Sequence, residues 1–589
     1  MKAPALLVAA FAVAIALAGA PVQAAAPGDR IDNFRLLDQN GESHELHYLS
    51  DAKAVVLMIQ GNGCPIVREA LPALRDIRDR YRAQGVEFLL LNANRQDRRD
   101  DLVREAAEFG IDFAILSDDT QLIGEALGVE RTAEVFVIDP KTWKLAYRGA
   151  IDDRLAYGTQ KPAASQGYLR DALDALLTGK PVPVVETTTA GCLVNFPERE
   201  RKAEHAATSY TDIVAPLPSK NCVACHREGG VAPWAMSSYE MVRGFAPMIR
   251  EVIRTKRMPP WHVDPHFGSF IGDRSLASDD VKTLVHWIEA GAPRGTGADP
   301  LAVTDTARPE WTLVKPDLVV EVPAFDVPAT GVIDYRYPRL PNPVGRDVRI
   351  RAIEIMPGDR TTVHHVLAGL QDAQTPQTGK VAQIAAFGGY APGKNAFWYP
   401  ENTGVLLRKD ASLLFRMHYS PNGRAVHDVT CVGYYFAKET PRFPLHLTFL
   451  MKGSLAIPPN TRIHTESVET VYDRDVVVYT LMPHAHLRGK ASRFTAINSD
   501  GRSEVLLNVP KYDFGWQTAY VLEQPKVLPA GTRVVFDMTW DNSAQNPANP
   551  DPNKTVYWGD QTWDEMNAGR IRFRYLDGMT EKRRTALMR

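Results

Sequence analysis

Five cysteines in 589 residues are too few for a disulfide-rich secreted scaffold. This chain must rest on packed apolar cores instead. It has no Lys/Arg-rich block and a formal net charge of −2, so it lacks the electrostatic footprint of a nucleic-acid binder. Beyond the N-terminus no segment approaches the ~18 uninterrupted apolar residues of a membrane span. Compositional bias is lacking too, since 44% hydrophobic and 23% charged residues are ordinary globular proportions. The length corresponds to about four domains at a prior of ~150 residues each.

The one long apolar run is Ala5 to Ala18, which follows Lys2 and leads into Val22-Gln23-Ala24. A short apolar core before an A-x-A-like site reads as a cleaved secretory signal over residues 1–24. The expected mature protein is periplasmic or secreted, with no membrane span. An uncleaved anchor is the alternative, because only one basic side chain precedes the run.

Residues 25–185 alternate strand-like and helix-like segments. Ala54-Val-Val-Leu-Met-Ile-Gln60 and Gly85-Val-Glu-Phe-Leu-Leu-Leu-Asn92 are buried-strand runs, and Arg68 to Gln84 has helical apolar spacing. Such alternation favours an α/β sheet. The element order, the opening Asp32-Asn-Phe-Arg-Leu-Leu-Asp38 and a cysteine between first strand and helix resemble the thioredoxin-like redoxins. The chemistry departs from that pattern. Cys64-Pro-Ile-Val67 lacks the second cysteine of CxxC, Gly61 stands where peroxiredoxins carry threonine, and Ala133 replaces the proline before the later strand. A helix N-terminus favours the Cys64 thiolate. Cys192 offers a resolving partner or a disulfide. The expectation is a docking or structural role rather than independent redox catalysis.

Within residues 205–298, Cys222-Val-Ala-Cys225-His226 is a CxxCH. Its cysteines suit thioethers to haem vinyls, and its histidine suits the iron. A small all-α, cytochrome c-like domain with a covalent c-type haem is expected. Met258, in Arg257-Met258-Pro-Pro-Trp261, resembles the methionine loop of small c-type cytochromes, with His262 and His266 as rival ligands.

The remaining chain changes class. Short β-like runs punctuated by Pro and Gly predict two antiparallel β-sandwiches of the jelly-roll kind, over 312–445 and 446–589. The histidines gather here. Thr362-Val-His364-His365-Val366 and Arg416-Met-His418-Tyr-Ser420 precede Leu481-Met-Pro-His484-Ala-His486-Leu-Arg-Gly-Lys490. On a regular strand His484 and His486 share one face, whereas adjacent His364 and His365 face opposite ways unless a bulge turns one. His427, His446 and His464 carry no motif and read as surface or hydrogen-bonded residues.

The ordered set, with Tyr512-Asp-Phe-Gly-Trp-Gln517 and the late Asp564-Glu-Met566, resembles the copper type II monooxygenases. Peptidylglycine α-hydroxylating monooxygenase and dopamine β-monooxygenase belong to that family. The resemblance implies two copper ions. His364, His365 and His418 would hold an electron-transfer copper. His484, His486 and Met566 would hold the copper where dioxygen and a small-molecule or peptide substrate meet. Met566 is preferred to Met538, which ends an apolar strand and suits packing. The haem would relay electrons from an external donor. The alternative is a non-catalytic copper-binding or redox-sensing protein.

Overall fold

The computed structural model describes residues 24–157, 159–302, 311–371, 385–391 and 396–576. The secretory signal therefore lies outside the described residues, apart from Ala24.

The N-terminal domain is thioredoxin-like. Its five-stranded sheet runs Ile115–Ser117, Val86–Asn92, Ala54–Gln60, Val135–Asp139 and Lys144–Gly149. The first three are mutually parallel and the last two antiparallel. Every residue of Ala54–Gln60 is buried, because the central strand is covered on both faces. Cys64 caps the helix Pro65–Tyr81, and proline in its first turn fits where no backbone donor is needed. The domain extends past residue 185, where the sequence suggested an end. Val194 and Phe196 are buried in the same core as Ile123 and Leu127. Backbone bonds from Thr132 N–H to Cys192 O (2.9 Å) and from Val194 N–H to Glu130 O (3.0 Å) hold that tail down.

Helices Tyr239–Gly244, Ala246–Arg254 and Ser278–Glu289 then pack around Trp287 and Tyr210, with Leu122 of the first domain in the same core. This segment is not self-contained over 205–298. Trp261 and Val263 pack on the core of the second sandwich. Phe270–Ile271 forms an edge strand of its sheet, against Tyr520–Leu528. Asp264, with no solvent exposure, anchors the excursion: it pairs with Arg99 of the thioredoxin-like domain and accepts from Asn508 of the sandwich.

The remainder is β-rich. In the first sandwich, Arg339–Pro341, Ser412–Tyr419, Val363–Gln371 and Ala385–Tyr390 form one sheet. Val348–Met356 and Cys431–Phe436 lie at the centre of the other. In the second, the sheet Tyr520–Leu528, Val476–His484, Ala568–Tyr575, His446–Met451 faces the sheet His464–Val471, Arg533–Trp540, Gly489–Ile497, Ser503–Val509. Among the described strands of this remainder, pairing is antiparallel except between Thr403–Leu407 and Phe443–Pro444. Among the described residues no helix is long and apolar enough to cross a membrane.

Candidate functional site

His365 lies opposite His418 across the paired strands Val363–Gln371 and Ser412–Tyr419, and the register shifts between Val363 and His365. That bulge leaves His364 without a cross-strand partner and turns it to the side of its neighbour. The Nδ1 atoms form a triangle: 3.1 Å between His364 and His365, 3.2 Å between His364 and His418, and 3.3 Å between His365 and His418. Three imidazoles cannot all donate to one another, so their lone pairs repel unless a cation lies among them. Nitrogen donors at ~2.0 Å from a tetrahedral metal stand about 3.3 Å apart, which is the spacing found. Burial pushes His364 down to about 4, His418 to about 3 and His365 well below the usual range. All three are neutral near pH 7, the protonation state that ligates. Tyr335 stacks on His418 at 4.7 Å.

The second pair departs from the simple strand picture. The strand Val476–His484 ends at His484, and His486 lies in the connection that follows. The ladder stops because side chains replace it. The Tyr512 hydroxyl accepts from Ala485 N–H (3.1 Å) and donates to Ala485 C=O (2.8 Å). Glu565 accepts the N–H groups of His486 (2.8 Å) and Arg488 (2.6 Å). The two imidazoles still meet, with centroids 5.3 Å apart and planes at 85°. His486 Nδ1 donates to Asp564 C=O at 3.2 Å, which leaves Nε2 an unprotonated acceptor. That Nε2 is buried with no hydrogen-bond partner. His484 Nδ1 meets Gln517 Oε1 at 2.9 Å. A donor atom held bare in an interior is costly, and a metal ion removes that cost.

Met566 is buried. It lies two residues before Ala568, which pairs with His484, and its N–H shares the Glu565 carboxylate with that of His486. Met538 faces Glu466 and Ser492 across the opposite sheet and is fully buried in the sandwich core. Glu565 also accepts from Trp540 Nε1 (3.0 Å) and Met566 N–H (3.3 Å). Burial raises its carboxyl to about 7 despite these donors. Its position in the late motif was visible in the sequence, but its four-donor role was not.

Phe514 lies between the two centres, with its ring 5.2 Å from His364 and 5.7 Å from His486. Beside it a narrow cleft runs between the sandwiches, lined by His365, Tyr390, Met482, Gln517 and Arg570 among others.

In the helical segment one tight turn gathers the CxxCH, with Cys225 N–H (3.0 Å) and His226 N–H (2.9 Å) both donating to Cys222 C=O. His226 Nδ1 donates to Trp234 C=O at 3.1 Å, leaving Nε2 an unprotonated acceptor. Burial, reinforced by the neighbouring Cys225, pushes the Cys222 thiol up to about 12. Met258 is half-buried just past the helix Ala246–Arg254. Of its rivals, His266 pairs with Asp100 at 3.3 Å and His262 is buried in the strap that crosses to the sandwich.

Cys64 and Cys192, 128 positions apart, are brought together with Sγ atoms 3.1 Å apart. A further cluster had no sequence signal: Glu198, His205 and His286 converge, with His286 Nε2 2.8 Å from Glu125. Glu198 and His205 lie on the contiguous short helices Pro197–Arg201 and Lys202–Ala206, and His286 comes from the distant Ser278–Glu289.

The AhpC/TSA family model matches residues 27–148. Thiol-disulfide oxidoreductase ResA of Halalkalibacterium halodurans is 30% identical over 112 residues, which are 19% of this chain and 62% of that relative. The chain thus spans less than two thirds of that protein's length. ResA of Bacillus thuringiensis is 27% identical over 144 residues, covering 24% of this chain and 76% of the relative. The crystal structure of an uncharacterized conserved protein from Geobacillus kaustophilus is 30% identical, covering 29% of this chain and 92% of that one, with a TM-score of 0.27. The N-terminal domain is therefore an AhpC/TSA-type thioredoxin-like domain with ResA-like homologues.

Proposed function

We propose that this chain is an exported copper- and haem-dependent monooxygenase that hydroxylates a C–H bond of an organic substrate with dioxygen. The observation that carries this reading is the pairing of two histidine centres on separate sandwiches with one phenyl ring between them.

The donor sets differ in a chemically meaningful way. His364, His365 and His418 supply three neutral imidazoles, which suit both copper oxidation states. His484, His486 and Met566 combine imidazoles with a soft thioether, which favours the reduced ion. Cys222, Cys225 and His226 would hold the haem, with Met258 as a further ligand. When bound, copper supplies oxygen reduction at the thioether site and single-electron exchange at the other, while haem supplies an electron relay.

The protein's own part is positioning. Asp564 and Gln517 orient the His486 and His484 rings. Glu565 fixes the backbone that carries His486 and Met566. Phe514 keeps the space between the centres apolar. A narrow cleft beside them is walled by both sandwiches.

The test is oxygen uptake by copper-loaded, haem-containing protein across candidate C–H substrates, with product identified by mass. Uptake matched by hydroxylated product supports the enzyme. Two bound coppers, no uptake and no carbon monoxide binding at either would instead identify a non-catalytic copper protein. Mixing reduced haem with Cu(II)-loaded protein tests the relay separately: haem that stays reduced while copper stays oxidised overturns it.

A further inference from the structure

The thioredoxin-like domain lacks CxxC, yet its cysteine is not alone. After the helix Tyr168–Leu177 the chain returns over the domain, and residues 191–194 lie along the loop 130–132 that precedes the strand Val135–Asp139. Gly191 is required for this approach, because a Cβ there would stand 1.9 Å from Thr132 O. The return delivers Cys192 to Cys64.

We propose that Cys64 and Cys192 form a dithiol/disulfide couple that exchanges two electrons with an external dithiol or disulfide, and that Cys192 is the sulfur attacked from outside. Three observations assign these roles. The Sγ atoms are 3.1 Å apart, so closing to the ~2.05 Å of a disulfide needs a shift of only about 1 Å. Cys192 is exposed whereas Cys64 is buried, so an incoming thiolate reaches Cys192 alone. Thr132 Oγ1 accepts from Cys192 N–H at 2.9 Å and lies 3.0 Å from Cys64 Sγ, to which it donates whenever Cys64 carries no proton, as thiolate or in a disulfide.

That hydroxyl makes Cys64 the better leaving group. Burial works against its thiolate, but hydrogen bonds from Thr132, the Val67 N–H and Cys192 together outweigh it and hold the thiol below its ordinary range. The bond to Cys64, then burial, push Cys192 the other way. A low-pKa leaving thiol departs faster.

The exchange balances as follows. A donor thiolate attacks Cys192 Sγ, the Cys64–Cys192 bond breaks, and its electron pair leaves on Cys64. The donor is now joined to Cys192. The donor's second thiolate attacks its own sulfur in that mixed disulfide, closes the donor's disulfide and releases Cys192. The donor has lost two electrons and two protons, and the pair has gained them. This order differs from CxxC chemistry because the exposed sulfur comes from the tail and the shielded one from the helix.

The experiment uses the full-length haem-containing protein and the aromatic disulfide 5,5′-dithiobis(2-nitrobenzoate), with products mapped by peptide mass. In the reduced wild type the reagent should add at Cys192 and be displaced by Cys64, leaving a Cys64–Cys192 linked peptide. Cys64→Ser should keep a stable adduct on Cys192. Cys192→Ser should react at Cys64 at least tenfold more slowly than Cys192 reacts in the wild type. Gly191→Val, which displaces the tail without touching either sulfur, should retain the adduct on Cys192 as Cys64→Ser does. A wild-type adduct on Cys64, or no linked peptide at any ratio of reagent to protein, overturns the proposal. Neither readout depends on copper or on oxygen chemistry.

Discussion

Phe514 stacks on His364 at 5.2 Å with planes only 22° apart, although the two residues belong to different sandwiches. The same ring meets His486 at 82°. One side chain thus fixes the approach of both histidine centres. Aromatic pairs of this kind contribute about 0.5–1.5 kcal/mol beyond their burial. Phe514→Ala should leave two coppers bound per chain but lower the yield of hydroxylated product per oxidised haem by about tenfold or more, as expected when positioning is loosened. An unchanged yield would show that the ring only fills space.

Glu565→Gln tests whether the buried carboxylate positions the second centre. Its four N–H donors cannot all be kept by one amide oxygen. Loss of an outer partner of a metal ligand typically costs 10–100-fold in affinity. Copper titration should show one site weakened by roughly that factor and the His364/His365/His418 site unaffected. Equal weakening of both sites, or of neither, would contradict the assignment.

The methionines separate on the same logic. Met566→Leu should remove sulfur scattering from the X-ray absorption spectrum of the Cu(I) protein and abolish oxygen uptake while the haem survives. Met538→Ala should retain that signal and cost about 2–4 kcal/mol, because Met538 is fully buried in the core. A signal lost with Met538 and kept with Met566 would reverse the assignment.

Asp264→Ala should loosen the junction of three domains. Arg99 Nη1 lies 2.8 and 2.6 Å from the two carboxylate oxygens, and Asn508 Nδ2 is 3.1 Å from one of them. Breaking a buried pair from one side costs about 3–5 kcal/mol. Limited proteolysis between residues 256 and 275 should accelerate while the haem spectrum is kept. Cleavage at the wild-type rate would mean that Trp261 and the Phe270–Ile271 pairing suffice.

Asp118 gives a pH signature. Its buried carboxyl is raised to about 7 by burial, although Gly124 and Ile123 N–H groups favour the anion. The folded state therefore binds more protons than the unfolded chain between about pH 4 and 7. This contribution to stability is present below the unfolded value and is lost as pH rises through the folded one. Asp118→Asn removes the ionisation, so its effect on stability should be more favourable at pH 8 than at pH 5 by about 2–3 kcal/mol. Melting curves at the two pH values decide it, and an equal effect at both would refute the burial argument.

Much of the architecture was legible in the chain. The apolar run from Ala54 to Ile59 and the alternation in Arg533–Trp540 reflect burial on two faces and on one, which local pattern records directly. His364 and His365 signalled a bulge because adjacent residues on a regular strand diverge. Other features depended on partners far away in sequence. The strand ends at His484, not beyond His486, because Glu565 and Tyr512 take over its backbone groups. Residues 261–271 leave the helical segment because Asp264 finds Arg99 and Asn508. Cys192 meets Cys64 because Gly191 lets two backbones touch. Strand and helix segments and the side chains able to ligate are readable along the chain, since periodicity and residue chemistry are local. Which of those side chains share a site emerges on folding, because long-range hydrogen bonds and buried charge pairs leave no periodic trace.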